Sequence, residues 1–176
     1  MLRLPGQRGL LSDLVDLLEV PALAKRWGLS ADQMPLLRQW MSGAGMRWGL
    51  DGQHRAQLDL QACGEQNTAW FGVQRMLLGY ATGSLDAAAG AGAGASVAGI
   101  EPYLEVGGLD AEMAGALAHL LRSLRDWTRQ AGEPARPAVW AQRGRALLRG
   151  ASLAGGGFAL SAWMPAWAQP VSRGIA

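Results

Sequence analysis

Cysteine is nearly missing from this chain, and the scarcity excludes a good deal. Cys63 stands alone, so an internal disulfide and a cysteine-based zinc site are both ruled out. The two histidines, His54 and His119, lie far apart, with neither a carboxylate nor a cysteine at ligand spacing. Both are expected as surface or core residues, and no structural metal is expected. The pattern G-x-x-x-x-G-K-S/T does not occur, so a phosphate cradle for ATP is missing. Acidic residues are not clustered with a lysine in the way a nuclease would need. No catalytic residue, metal ligand or cofactor is therefore expected.

Lysine is as scarce as cysteine. Lys25 accompanies fifteen arginines in a chain of formal charge +2. Arginine offers phosphate a planar fork and stacks on bases, which lysine does not, although the codon usage of a GC-rich genome produces the same bias. Carboxylates vanish after Glu133, whereas Arg136, Arg143, Arg145, Arg149 and Arg173 follow it. Such a shift usually marks a boundary. The first six residues, Met1 to Gly6, hold no apolar run of the secretory kind, so a reduced, cytoplasmic setting is expected for the main body.

At 176 residues and 49% apolar composition, one domain with a sizeable core is expected. Leu10, Leu11, Leu14, Val15, Leu17 and Leu18 recur at helical spacing, with Ser12 as N-cap and Asp13 in the first turn. Pro21 opens a second helix that Gly28 ends. Ser30 with Gln33 forms a capping-box pattern ahead of Met34, Leu37, Trp40 and Met41, where Pro35 is awkward unless the helix starts late. From Arg55 to Ala62 the period drops to two, which predicts one short strand or extended segment with a polar face. Asn67 or Thr68 then caps a helix carrying Trp70, Phe71, Leu77 and Leu78. Gly79 inside it costs about 1 kcal/mol against alanine, so close packing is expected there.

Residues 82–99 read as a flexible Gly/Ala linker. A long helix follows from about Leu109 to Gln130, its stripe being Met113, Leu117, Leu120, Leu121, Leu124 and Trp127. Acids near its start and arginines near its end suit the helix dipole. The fold class expected is mainly α, with at most one or two short strands. The organisation expected is a helical segment over 1–81, the linker 82–99, a long helix and flank over 100–140, and a separate tail over 141–176.

Two blocks stand out: Gly45-Met46-Arg47-Trp48-Gly49-Leu50-Asp51 and, sixteen residues on, Asn67-Thr68-Ala69-Trp70-Phe71-Gly72-Val73-Gln74-Arg75-Met76-Leu77-Leu78-Gly79-Tyr80-Ala81. They resemble a stretch of the gamma subunit of exodeoxyribonuclease V, the RecC family. The similarity runs from about Ser12 to Leu124. It also takes in the Val20-Pro21-Ala22-Leu23 turn, Trp40, Pro102-Tyr103 and Gly108-Leu109-Asp110-Ala111-Glu112. The resemblance implies a helical subdomain of an inactive, superfamily-1 helicase-like module. It also implies DNA and the RecB-like and RecD-like motor subunits as partners, in an ATP-dependent exodeoxyribonuclease that serves double-strand-break repair and recombination. The chain is expected to be an internal fragment of such a subunit, a scaffold that guides DNA strands without chemistry of its own.

Arg47, Trp48 and Arg75 are the candidate nucleic-acid contacts. Arg47 and Arg75 would meet phosphate and Trp48 would stack on a base, a contact worth about 1–3 kcal/mol. The competing readings are structural: Trp48 in the core against Trp40, Arg47 at a helix end, Arg75 solvated. Trp70 and Phe71 should point to different faces, one into the core. Arg122, Arg125 and Arg129 form a basic edge that dipole complementarity already explains. Asp13, Asp16 and Glu19 share a face expected to be solvated.

Residues 150–172 carry no charge. Gly144-Arg145-Ala146-Leu147-Leu148-Arg149, the apolar stretch after it and Ala166-Trp167-Ala168 resemble a twin-arginine export signal that lacks its first arginine. Three readings of this tail stand open: a leader fused to a truncated gene piece, an out-of-frame tail, and a C-terminal membrane anchor.

Overall fold

A computed structural model of the chain describes residues 6–89, 96, 98–108 and 111–150. These form seven α-helices: α1 (Leu11–Leu18), α2 (Pro21–Arg26), α3 (Met34–Gly43), α4 (Gly52–Gln57), α5 (Ala69–Ala89), α6 (Ala111–Ala131) and α7 (Pro137–Gly150). Single 3-10 turns lie at Ala31–Gln33 and Gln61–Cys63. Among the described residues there is no strand; an isolated antiparallel bridge pairs Leu10 with Trp48. The mainly helical class follows.

Local chemistry sets most helix ends. Leu10, not Ser12, is the N-cap of α1, and its N–H donates to Asp13 Oδ2 at 2.8 Å. The first-turn carboxylate thus binds the N-cap residue's own N–H, and Ser12 lies inside the helix. Pro21 opens α2, where a missing N–H costs nothing. Gly28 then takes φ +69, and the Leu29 and Gly28 amides reach back to the Ala24 and Lys25 carbonyls at 2.9 and 3.3 Å. Two orphan carbonyls are satisfied that way. Ser30 N–H donates to Gln33 Oε1 at 3.0 Å ahead of α3, and Pro35 is only the second residue of that helix, so it breaks no ladder bond.

The strand or extended segment expected over Arg55–Ala62 is not formed: α4 takes in Arg55–Gln57 and a 3-10 turn takes in Gln61–Ala62. Asp51 caps α4 instead, its Oδ1 accepting the His54 N–H at 2.7 Å. The alternation misleads because its apolar members share no buried face: Ala56 and Ala62 are exposed and Leu58 and Leu60 half-buried, while the polar Arg55 is buried. α5 begins where the sequence predicts, with Thr68 Oγ1 accepting the Phe71 N–H at 3.1 Å. It runs on to Ala89, into the stretch expected as a linker from residue 82, because alanine is the strongest helix former. Residues 90–95 and 97 lie outside the described set.

The core gathers between α1, α3, α5 and α6. All six stripe residues of α6 are buried. Each of Leu117, Leu120, Leu121 and Leu124 contributes on the order of 1.5–3 kcal/mol, an upper bound from area transfer. The Tyr103 carbonyl crosses α5 at Gly79, so closely that a Cβ there would sit 1.8 Å from the oxygen. α7 docks on the end of α6 through an edge-to-face pair, Trp127 and Trp140, whose ring centres are 6.1 Å apart. Arg143 bridges from α7 to the Glu133 carbonyl and carboxylate. Residues 141–150 therefore continue a docked helix. The export-signal reading runs from Gly144 to Ala168, and its part beyond residue 150 lies outside the described residues; no described helix is long and apolar enough to cross a membrane.

Candidate nucleic-acid interface

The two blocks, Gly45–Asp51 and Asn67–Ala81, meet backbone to backbone. Arg47 N–H and Trp48 N–H donate to the Asn67 carbonyl at 2.9 and 3.3 Å. Ala69 N–H and Trp70 N–H then donate to the carbonyls of Gly49 and Leu50, both at 2.9 Å. The entry to α5 is thereby zipped to the segment leaving α3. Gly49, at φ +79, is required twice over, since a Cβ there would also press on the Arg55 Nε at 3.0 Å. Met46 and Leu50 anchor the block in the core, and Met46 packs so tightly on Gly72 that a Cβ at residue 72 would overlap it.

Arg47 and Arg75 converge on one feature, the C-terminal end of α3. Arg47 Nη1 donates to the Ser42 and Met46 carbonyls at 3.1 and 3.0 Å, and Arg75 Nη1 donates to the Ala44 carbonyl at 2.9 Å. The last turn of α3 contains no basic residue. These two arginines supply from outside the charge and the donors that its free carbonyls favour. Arg75 also donates through Nε to the Glu101 carbonyl at 2.9 Å and faces the Glu101 carboxylate at 3.7 Å. It is a clamp between α5, α3 and the 100–106 segment rather than a solvated side chain. Arg47 remains exposed. Trp48 is half-buried under a cation, the Arg55 guanidinium, 3.9 Å from its ring centre.

Arg55 is the residue that sequence reasoning missed. It is 1% exposed. Its Nη1 donates to the carbonyls of Cys63, Gly64 and Gln66 at 3.0, 2.8 and 2.8 Å, and its Nη2 to the Trp48 carbonyl at 3.0 Å. Burial pulls the guanidinium below its ordinary range, and the charges of Cys63 and Glu65 oppose that. Four carbonyls and an aromatic face hold this cation, and the same contacts fold the 61–67 loop onto the first block.

Asp51 closes the block on its other side. While Oδ1 caps α4, Oδ2 accepts from Arg125 Nε of α6. The Arg125 guanidinium in turn lies 4.1 Å from the centre of the Trp70 ring. Asp51, Gln53, Trp70, Arg122, Arg125, Asp126 and Arg129 line a cleft of about 230 Å³. The basic edge of α6 thus borders a concave surface that Arg47, Trp48 and Arg75 do not line. His54, behind it, is buried and accepts the Leu50 N–H on Nδ1 at 3.2 Å, which fits a core histidine. His119 is exposed. Among the described residues no group of three or more His, Cys, Asp or Glu could hold a metal ion.

A family model described as the fourth domain of the RecBCD enzyme subunit RecC matches residues 1–157. The chain belongs to the RecC family. RecC of Escherichia coli K12 is 43% identical over 129 residues, covering 73% of this chain and 11% of that protein. RecC of Mycolicibacterium smegmatis is 30% identical over 125 residues, covering 71% and 11%. RecC of Haemophilus influenzae is 33% identical over 82 residues, covering 46% and 7%. The chain therefore spans about a tenth of the length of these curated relatives.

Proposed function

We propose that the chain serves as a non-catalytic part of a RecC subunit, a cytoplasmic scaffold that guides a DNA strand in a helicase-nuclease of double-strand-break repair and recombination. RecB-like and RecD-like subunits are its protein partners. The observation that carries the reading is the match of the RecC fourth-domain model to residues 1–157. The bonded junction of the two blocks supports it, because a rigid strap of backbone holds Arg47 at the surface without spending it on a reactive centre. Of Arg47, Trp48 and Arg75, Arg47 is the one proposed to meet DNA directly. Arg47 is the most accessible of the three, and Arg75 and Trp48 shape the surface around it.

The test uses the purified chain with the two motor subunits of a RecBCD enzyme. Retrieval of the chain by those subunits, with no ATP hydrolysis and no strand cleavage by the chain alone, is the expected result. Turnover of ATP or DNA by the chain unaided overturns the reading.

A further inference from the structure

We infer that the cleft between α6 and the Asp51–Gln53 corner is a second nucleic-acid contact, one that takes the phosphates and a base of a single DNA strand. The inference rests on the strand-guiding reading above and assigns it a surface apart from Arg47, Trp48 and Arg75.

Three arginines line the cleft against two aspartates. Each aspartate has a job: Asp51 holds Arg125, and Asp126 holds Arg129. Held arginines lose little freedom on meeting a ligand, so the carboxylates preorganise the site rather than merely neutralise it. Arg122 and Arg129, seven residues apart on one helix, stand about 10 Å apart along its axis. Both are exposed at the rim. A polyanion with regularly spaced charges meets both at once, whereas a small anion meets one.

Flat surfaces favour a nucleic acid over an acidic peptide. Trp70 and the Arg125 guanidinium are stacked 4.1 Å apart, and the Arg125 side chain is 31% exposed where it lines the cleft. A base extends such a stack; a glutamate side chain does not. The amide of Gln53, exposed on the same lining, adds a donor and an acceptor for a base edge. The cleft, of about 230 Å³, has room for one base with its phosphate.

Fluorescence anisotropy of a labelled oligothymidylate, titrated at low and moderate salt, tests the inference on the full chain. The double variant R122Q/R129Q removes both rim charges without touching the core, and its melting temperature should match the wild type. Its affinity is expected to fall at least tenfold, and its log–log salt slope to flatten by about 1.4, two phosphates at about 0.7 each. Polyglutamate at equal charge should compete poorly. Affinity within twofold of wild type overturns the inference, as does equal competition by polyglutamate, which would assign the cleft to an acidic protein segment. If R47Q weakens binding and R122Q/R129Q does not, the cleft is refuted while strand guiding survives. Absence of any oligonucleotide binding also refutes the cleft, and retrieval by the motor subunits then judges the broader reading separately.

Discussion

Arg55 lies over Trp48, its guanidinium carbon 3.9 Å from the ring centre, while its Nη2 donates to the Trp48 carbonyl. One residue therefore covers the side chain of Trp48 and ties down its backbone. The same guanidinium gathers three carbonyls of the 61–67 loop. Arg55→Met should lower stability by about 2–3 kcal/mol, since the carbonyls lose a charged donor and the loop loses its tether. Arg55→Lys should cost nearly as much, because an ammonium carries three donors on one atom and cannot form the planar fork. Chemical denaturation reads both, and a lysine variant at wild-type stability refutes the account.

Asp51 performs two tasks that separate cleanly by substitution. Asparagine keeps the cap on α4 but not the charge facing Arg125, and alanine keeps neither. The cap is worth about 1 kcal/mol. The pair with Arg125, a third exposed, is worth no more than about the same. Stability should thus fall in the order wild type, Asp51→Asn, Asp51→Ala. Equal losses in the two variants would mean that the cap contributes nothing.

What could be read from residue order alone divides along range. Thr68 as a cap, Pro21 as a start, Gly28 as a stop and the stripe of α6 are local signals, decided within a turn or two, and each stands in the structure. Arg55 was illegible because its partners are carbonyls 7 to 11 residues away, and every residue offers a carbonyl. The period-two pattern around it pointed to a strand, while the decisive residue was Asp51, whose place just before Gly52-Gln53-His54 is an N-cap signature. The roles of Arg47 and Arg75 split in the same way. A helix end for Arg47 was one of the readings open from sequence, but the route from Arg75 to the Ala44 carbonyl crosses 31 residues.

Gly79 offers the sharpest packing test. Alanine would improve the intrinsic helix propensity of α5 by about 1 kcal/mol. Its Cβ would, however, fall 1.8 Å from the Tyr103 carbonyl oxygen, a backbone atom that cannot swing aside. Overpacking of this kind costs about 1–3 kcal/mol or more, and the clash should win. Gly79→Ala is expected to lower the melting temperature and to loosen the 100–106 segment, seen as faster amide exchange at Tyr103, whose N–H bonds the Arg75 carbonyl. A higher melting temperature would show that propensity outweighs the clash.

His119 reports on the rim of the cleft. Desolvation first, and the charge of Arg122 second, hold its imidazole below the ordinary value. A histidine depressed in the folded state contributes stability above its unfolded pKa and loses it as pH falls through the folded value. The folded protein should therefore weaken slightly on acidification below about pH 6.5. Arg122→Gln should raise the His119 midpoint in an NMR titration, though not fully to the unfolded value, because the partial desolvation of this otherwise exposed imidazole persists. An unchanged midpoint would remove Arg122 as a cause.

Arg47 and Arg75 make opposite predictions despite sharing the end of α3. Arg47 is exposed, and two carbonyl bonds leave most of its guanidinium at the surface. Arg75 is bound on three nitrogens and its side chain is 19% exposed. Arg47→Gln should leave the melting temperature within a degree or two, yet flatten the salt dependence of single-strand binding by about 0.7 per lost phosphate contact. Arg75→Gln should do the reverse, costing about 1–2 kcal/mol of stability through its lost carbonyl bonds. With the fold kept intact at low temperature, that variant should barely change the salt slope. Measured side by side, the two variants separate an arginine that meets DNA from one that builds the surface. If Arg75→Gln instead lowers the slope at wild-type stability, the assignments must be exchanged.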